Sequence, residues 1–136
     1  MNRALLIGLI AVVIAALIGG FVVVGGPGYA RLEKQDAQRA RDLQELFLYL
    51  QCQQHDMVLP ATLTDSAYCP NHAILTVAKD PETGDPYAYN RVNDTRFEIC
   101  ATFATKAQMG RNGYPYRALH FEGQVGCRKG ETRAPK

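Results

Sequence analysis

The sequence predicts an α+β protein: one N-terminal transmembrane helix, then an amphipathic helix packed on a small antiparallel sheet, with two disulfides. Three observations carry this. Leu5 to Val24 is an apolar run without a charged side chain. Leu43, Leu46, Phe47 and Leu50 recur at i, i+3, i+4, i+7, the stripe of a helix with one buried face. Phe97, Ile99, Ala101 and Phe103 alternate with Glu98, Cys100 and Thr102, the period of a half-buried strand.

The apolar run, LLIGLIAVVIAALIGGFVVV, has the roughly 20 residues that an α-helix needs to cross ~30 Å of hydrocarbon. In lipid every backbone N–H and C=O must be satisfied within the segment, so it is helical despite its β-branched residues. Gly8, Gly19 and Gly20 permit close approach of a neighbouring helix. Gly28-Tyr29-Ala30 has the small residues of a cleavage site, but the run exceeds a signal-peptide core of roughly 7–15 residues, and a retained anchor is expected. Residues 1–3 then form a short cytoplasmic N-terminus, 4–24 the span, 25–29 a Gly/Pro joint, 30–129 a periplasmic domain and 130–136 a tail. Arg3 and the terminal amine favour this orientation, while Arg31, Lys34, Arg39 and Arg41 beyond the span weigh against it. The cysteines decide. Cys52, Cys69, Cys100 and Cys127 all follow the span, an even set suited to disulfides in an oxidising compartment. Of the three possible pairings, local order favours Cys52–Cys69 and Cys100–Cys127. The expected location is the bacterial inner membrane, single-pass, with the domain in the periplasm.

After the joint, where Pro27 and its glycines are expected to end or kink the membrane helix, residues 30–54 read as a helix. Its first turns are polar except for Ala37 and Ala40, so a solvated or partner-facing stalk is expected before the apolar stripe begins. Leu59-Pro60 is an extended entry to a loop, because the residue before proline avoids the α region. Residues 74–78 (ILTVA) read as a short strand, and residues 80–86 (DPETGDP) as dense turn chemistry. Tyr87–Val92 and Thr95–Thr105 read as strands around Asn93-Asp94, and Tyr116–Glu122 as a third strand.

The net charge of +2 is too small to point to nucleic acid. From Cys100 onward, however, seven basic residues (Lys106, Arg111, Arg117, Arg128, Lys129, Arg133, Lys136) face two acids (Glu122, Glu131), which read first as a solvated end and second as a surface for anionic lipid or an acidic partner. Arg111, Tyr114, Tyr116 and Arg117 mix guanidinium and aromatic groups as protein interfaces do, and are the partner-binding candidates. Cys52-x-x-His55 with Cys69-x-x-His72 has the ligand types of a tetrahedral zinc site, against which the disulfide reading is preferred. His120 sits on a strand without a paired base or nucleophile, so no catalytic set is readable and an enzyme is not expected. No cofactor is expected.

Several short motifs occur in a recognisable order: Arg39-Ala40-Arg41-Asp42-Leu43 on the helix, the turn Asp80-Pro81-x-Thr83-Gly84-x-Pro86-Tyr87-x-Tyr89, the strand Phe97-Glu98-Ile99-Cys100-Ala101-Thr102-Phe103, and a closing His120, Gly123 and Cys127. In this order, over Arg39 to Cys127, the chain resembles the type IV pilin and type II secretion pseudopilin superfamily, and more closely the pilin-like domains of small single-span membrane proteins. It departs from a prepilin in that Gly20-Phe21 is followed by Val22, Val23, Val24 and Gly25, without the glutamate of a cleaved filament subunit. The resemblance implies a pilin-like fold, and makes Asp80, Glu82 and Asp85, with Asn90, candidates for calcium, which takes six to eight oxygen ligands. A fold resemblance carries no function by itself. The expected function is a non-catalytic accessory subunit of a larger membrane complex, with integral membrane proteins and the bilayer as partners and nucleic acid unlikely as one. The alternatives are a pseudopilin-like component of a secretion or DNA-uptake system, or a periplasmic calcium- or zinc-binding module.

Overall fold

The computed structural model describes residues 2–24, 26–52, 59–64, 69, 78–105, 113 and 115–132. The chain divides into two compact units, Met1–Leu32 and Glu33–Lys136.

In the first unit, helix α1 (Arg3–Val24) is apolar on every side and exposes Leu5, Val12, Phe21 and their neighbours around its whole circumference. At ~1.5 Å per residue its 22 residues extend ~33 Å. It is long and apolar enough to span a membrane. Helix α2 (Gly26–Cys52) begins earlier than the expected Gly/Pro joint allows. Gly26 takes a left-handed φ of 66°, and Pro27 follows in the first turn, where the missing N–H would have no helical acceptor anyway. Pro27, Gly28 and Tyr29 are therefore helical, and Gly25 lies outside the described residues.

The second unit is α+β. Four antiparallel strands, β1 (Ala88–Arg91), β2 (Arg96–Thr102), β3 (His120–Glu122) and β4 (Val125–Glu131), lie in the order β1-β2-β4-β3. The β1–β2 connection is built by Asn93, whose Oδ1 accepts from the backbone N–H of Thr95 (2.9 Å) and Arg96 (2.7 Å). That is the local chemistry that makes asparagine a turn residue. Along β2, Phe97, Ile99 and Ala101 are buried, as their alternation predicts. They share one core with Ala40, Leu43, Leu46 and Leu50 of α2, and Phe47 lies 5.7 Å from Phe97, ring centre to ring centre.

Two differences from the expected elements have clear causes. The segment from Tyr116 forms a short 3₁₀ turn (Tyr116–Ala118) before β3, because Tyr116 turns inward and sets its ring edge against Phe103. The expected tail from Gly130 is instead the end of β4, which inserts between β2 and β3. This strand reads VGCRKGE, with too few apolar residues for an alternating pattern. Its place depends on what its glycines lack: a Cβ on Gly126 would stand 2.6 Å from the Phe103 ring and 2.7 Å from Phe121, and one on Gly130 would meet Phe97 and Phe47. Glycine in a strand marks such a close approach. Gly123, at φ 64°, makes the tight β3–β4 turn. Thr132, beyond the strand, is buried and donates its N–H to the Thr95 carbonyl (2.7 Å). Of the expected strand at 74–78, residues 74–77 lie outside the described residues, and Ala78 is buried.

Both cysteine pairs are disulfides, Cys52–Cys69 and Cys100–Cys127, as the order of the chain favours.

Candidate functional site

The densest concentration of chemistry in the second unit is a buried cluster of charges around Arg39. Asp36, Arg39 and Asp42 fall on the α2 face that also presents Ala40 and Leu43, so helical spacing alone carries them inward. Arg39 is 4% exposed and spends its guanidinium on carboxylates. Nη1 donates to Asp36 Oδ1 (2.7 Å), Nε to Asp80 Oδ2 (2.5 Å), and Nη2 to Asp80 Oδ1 (3.0 Å) and Glu82 Oε2 (3.4 Å). The Asp80 contact is the two-pronged form in which arginine binds a carboxylate most tightly. It holds the Arg39 pKa above its ordinary range and brings Asp80 down to about 2.

Each carboxylate has a second task. Asp36, fully buried, accepts the backbone N–H of Ala104 (2.9 Å) and Thr105 (2.8 Å) and the Thr105 hydroxyl (2.8 Å). Asp80 accepts the N–H of Glu82 (2.8 Å) and Thr83 (3.2 Å), which starts the turn, and Gly84 closes it at φ 75° with its N–H on the Asp80 carbonyl. Asp42 accepts from the Tyr87 hydroxyl (2.7 Å) and from Gln38 Nε2 (2.7 Å). Burial raises the Asp42 pKa more than these bonds lower it, and burial with the nearby carboxylate raises Tyr87 far above the ordinary phenol range. About two turns of helix thus tie down the 80–87 turn and the chain just after β2.

The motif residues of the helix and the turn, read separately in the sequence, therefore meet: Arg39 with Asp80, and Asp42 with Tyr87. Beside them opens a cleft of about 570 Å³ whose walls include Arg39, Asp80, Tyr87, Thr102, Phe103 and Gln124. Two of its charged walls, Arg39 and Asp80, are committed to each other. Of the candidate calcium residues, Asp80 uses both oxygens on Arg39 and the turn backbone and Glu82 reaches the same guanidinium, while Asp85 is exposed on the turn. Asn90 lies apart from it, exposed on β1.

The other candidates are placed as follows. Cys52 and Cys69 are joined, so neither offers a thiolate to zinc, and His55 and His72 lie outside the described residues. Glu98, Cys100 and Cys127 bring ligand-type atoms within 4.8 Å, but both sulfurs belong to one disulfide. Arg111 and Tyr114 lie outside the described residues. Tyr116 is 3% exposed in the core, which removes it from the surface, while Arg117 is exposed. His120 is exposed on β3 beside the half-buried Phe121. Arg128, counted above in the basic C-terminal end, lies 3.8 Å over the Phe47 ring and donates to Gln44, and burial lowers its pKa. Lys129 faces Glu98 at 3.7 Å. Sequence reading missed Asp36 and Thr105 altogether. The available signal was the Asp36/Arg39/Leu43 spacing, which puts an acid and a base on the stripe.

The chain matches no family model, no curated protein and no solved structure with which it was compared.

Proposed function

We propose that this chain is a non-catalytic, single-span subunit whose α+β domain lies outside the cytoplasm and docks on larger membrane proteins. The observation that carries the reading is the use made of the buried charges. Arg39, Asp36, Asp80 and Asp42 satisfy one another, the backbone and Tyr87, in the manner of a structural fastening. A catalytic site keeps a nucleophile, an acid or a base directed at a substrate position. An apolar helix long enough for a bilayer, joined to a small domain with two disulfides, supports an anchored protein of an oxidising compartment. In this reading the membrane is the bacterial inner membrane, the N-terminus is cytoplasmic and the domain periplasmic.

Purification of the native protein in mild detergent tests it. Stoichiometric recovery of integral membrane proteins is expected, and a lone monomer would overturn the reading. Cysteine-directed labelling from outside spheroplasts, applied to a variant with a surface cysteine at Arg117, reports the side on which the domain lies.

The order of helix, acidic turn and antiparallel sheet, with the motifs quoted above, favours a pseudopilin-like role as the second reading. It requires processing by a prepilin peptidase, so an intact N-terminus by mass spectrometry counts against it.

A further inference from the structure

The two disulfides occupy contrasting places. Cys52 ends α2 half-buried, and its partner Cys69 is 1% exposed within the core, so attack at Cys52 would have to expel the Cys69 thiolate into apolar surroundings, where it is a poor leaving group. Cys100 and Cys127 are direct register partners on the central strands β2 and β4. Phe97, Ile99 and Ala101 point into the core, so Cys100, between them, lies on the opposite face of β2 with Glu98 and Thr102. Both of its cysteines are half-buried, and none of the described helices packs on that face. The register partners on either side are small or polar: Ala88 on β1 next to Cys100, and His120 on β3 next to Cys127, both exposed.

We propose that Cys100–Cys127 is a site of reversible thiol–disulfide exchange with a dithiol reductant, and that Cys52–Cys69 is not. Exchange needs a thiolate to reach one of the two sulfurs, and exposed disulfides are the labile ones. Cys100 is the more open, since its outer neighbour is the single methyl group of Ala88 on the edge strand. The incoming thiolate bonds to Cys100 Sγ, the Cys100–Cys127 bond breaks, and Cys127 leaves as a thiolate that takes a proton beside His120. The reductant's second thiol then displaces Cys100 and closes the reductant's own disulfide. Two electrons and two protons pass to the protein, which gains two thiols, and the reductant is oxidised by the same two electrons.

The fold does not depend on this bond. β2 and β4 stay paired over seven residues, from Arg96↔Glu131 to Thr102↔Val125. Asp36 still holds the chain at Ala104 and Thr105, and Thr132 still holds Thr95. Reduction therefore breaks the covalent link between β2 and β4 while leaving the sheet in place.

The test uses the full chain in mild detergent, titrated with dithiothreitol, quenched with iodoacetamide and read by peptide mass spectrometry. Cys100 and Cys127 are expected to be alkylated at a concentration about tenfold below that needed for Cys52 and Cys69. The far-ultraviolet circular dichroism should be unchanged at that point, and a cooperative thermal transition should remain. Labelling of Cys52 and Cys69 first, or of all four together, overturns the proposal. The Cys100→Ser/Cys127→Ser double variant gives an independent check. It should keep the wild-type far-ultraviolet spectrum and a cooperative thermal transition, and a variant that does not fold overturns the proposal as well.

Discussion

At Phe47 and Leu50, α2 joins the domain as an apolar surface in one core with Phe97 and Ile99; about three turns earlier, at Asp36 and Arg39, it joins as a set of buried charges. The apolar end gains from removing hydrocarbon from water and tolerates small shifts, because that attraction has no direction. The charged end gains little or nothing net from its ion pairs, since desolvation offsets the attraction, but it is intolerant of losing one partner. The difference separates two kinds of stability: one that holds the layers together, and one that fixes where the 80–87 turn and the chain after β2 must lie against the helix.

Arg39→Met breaks the comparison most severely. It keeps the aliphatic stem but leaves Asp36 and Asp80 buried without their cation, and a cost of about 3–5 kcal/mol is expected. A thermal melt followed in the near-ultraviolet measures it. A loss under about 1 kcal/mol would show that the carboxylates find water instead. At the apolar end, Ile99→Ala should cost about 3 kcal/mol, from lost burial and the cavity left behind. It should leave the Asp80 pKa where it is, whereas Arg39→Met should return it upward. Nuclear magnetic resonance titration of the Asp80 carboxyl distinguishes the two.

The same contrast explains how much was legible in the sequence. The apolar end announces itself: Leu43, Leu46, Phe47 and Leu50 recur with the helix period, and Phe97, Ile99 and Ala101 with the strand period. The charged end does not, because Asp36 and Arg39 look like surface residues until their partners arrive from 41 and 69 residues away in the chain. For that reason the first turns of α2 read as a solvated stalk, when its burial in fact begins at Asp36. β4 was hidden for a different reason. Gly126 and Gly130 carry no hydrophobic signal, and their value is the room they leave for Phe103 and Phe97. Tyr116 was misread as a surface residue because composition near Arg117 cannot show which way a ring turns.

Acid separates the two ends without mutation. The Asp80 pKa is depressed to about 2 from an unfolded value near 3.8. Its contribution is therefore fully present above about pH 4 and is lost as pH falls toward 2, about 2 kcal/mol in all. Asp42 works in the opposite sense. Its folded pKa is raised, so it gains stability as pH falls through that folded value toward the unfolded one. Thermal midpoints in mild acid should therefore hold or rise slightly before falling below about pH 4. In Asp80→Asn the steep fall between about pH 4 and 2 should be shallower.

Tyr87→Phe makes the smallest change and gives the sharpest view of the charged end. It removes one hydroxyl that donates to Asp42 at 2.7 Å, and leaves the ring among its core neighbours. Asp42 then keeps Gln38 as a donor but loses the bond that most opposes the effect of burial on its pKa. The expected cost at neutral pH is about 1.5–2 kcal/mol, the lower part of the range for a hydrogen bond to a charged group. As the Asp42 pKa rises further, the cost should shrink when the pH falls through its new value, because a protonated Asp42 no longer leaves a buried charge short of a donor. A cost independent of pH would mean that the phenol matters for packing alone. One that fades as Asp42 takes up its proton would show that the hydroxyl is there for the carboxylate.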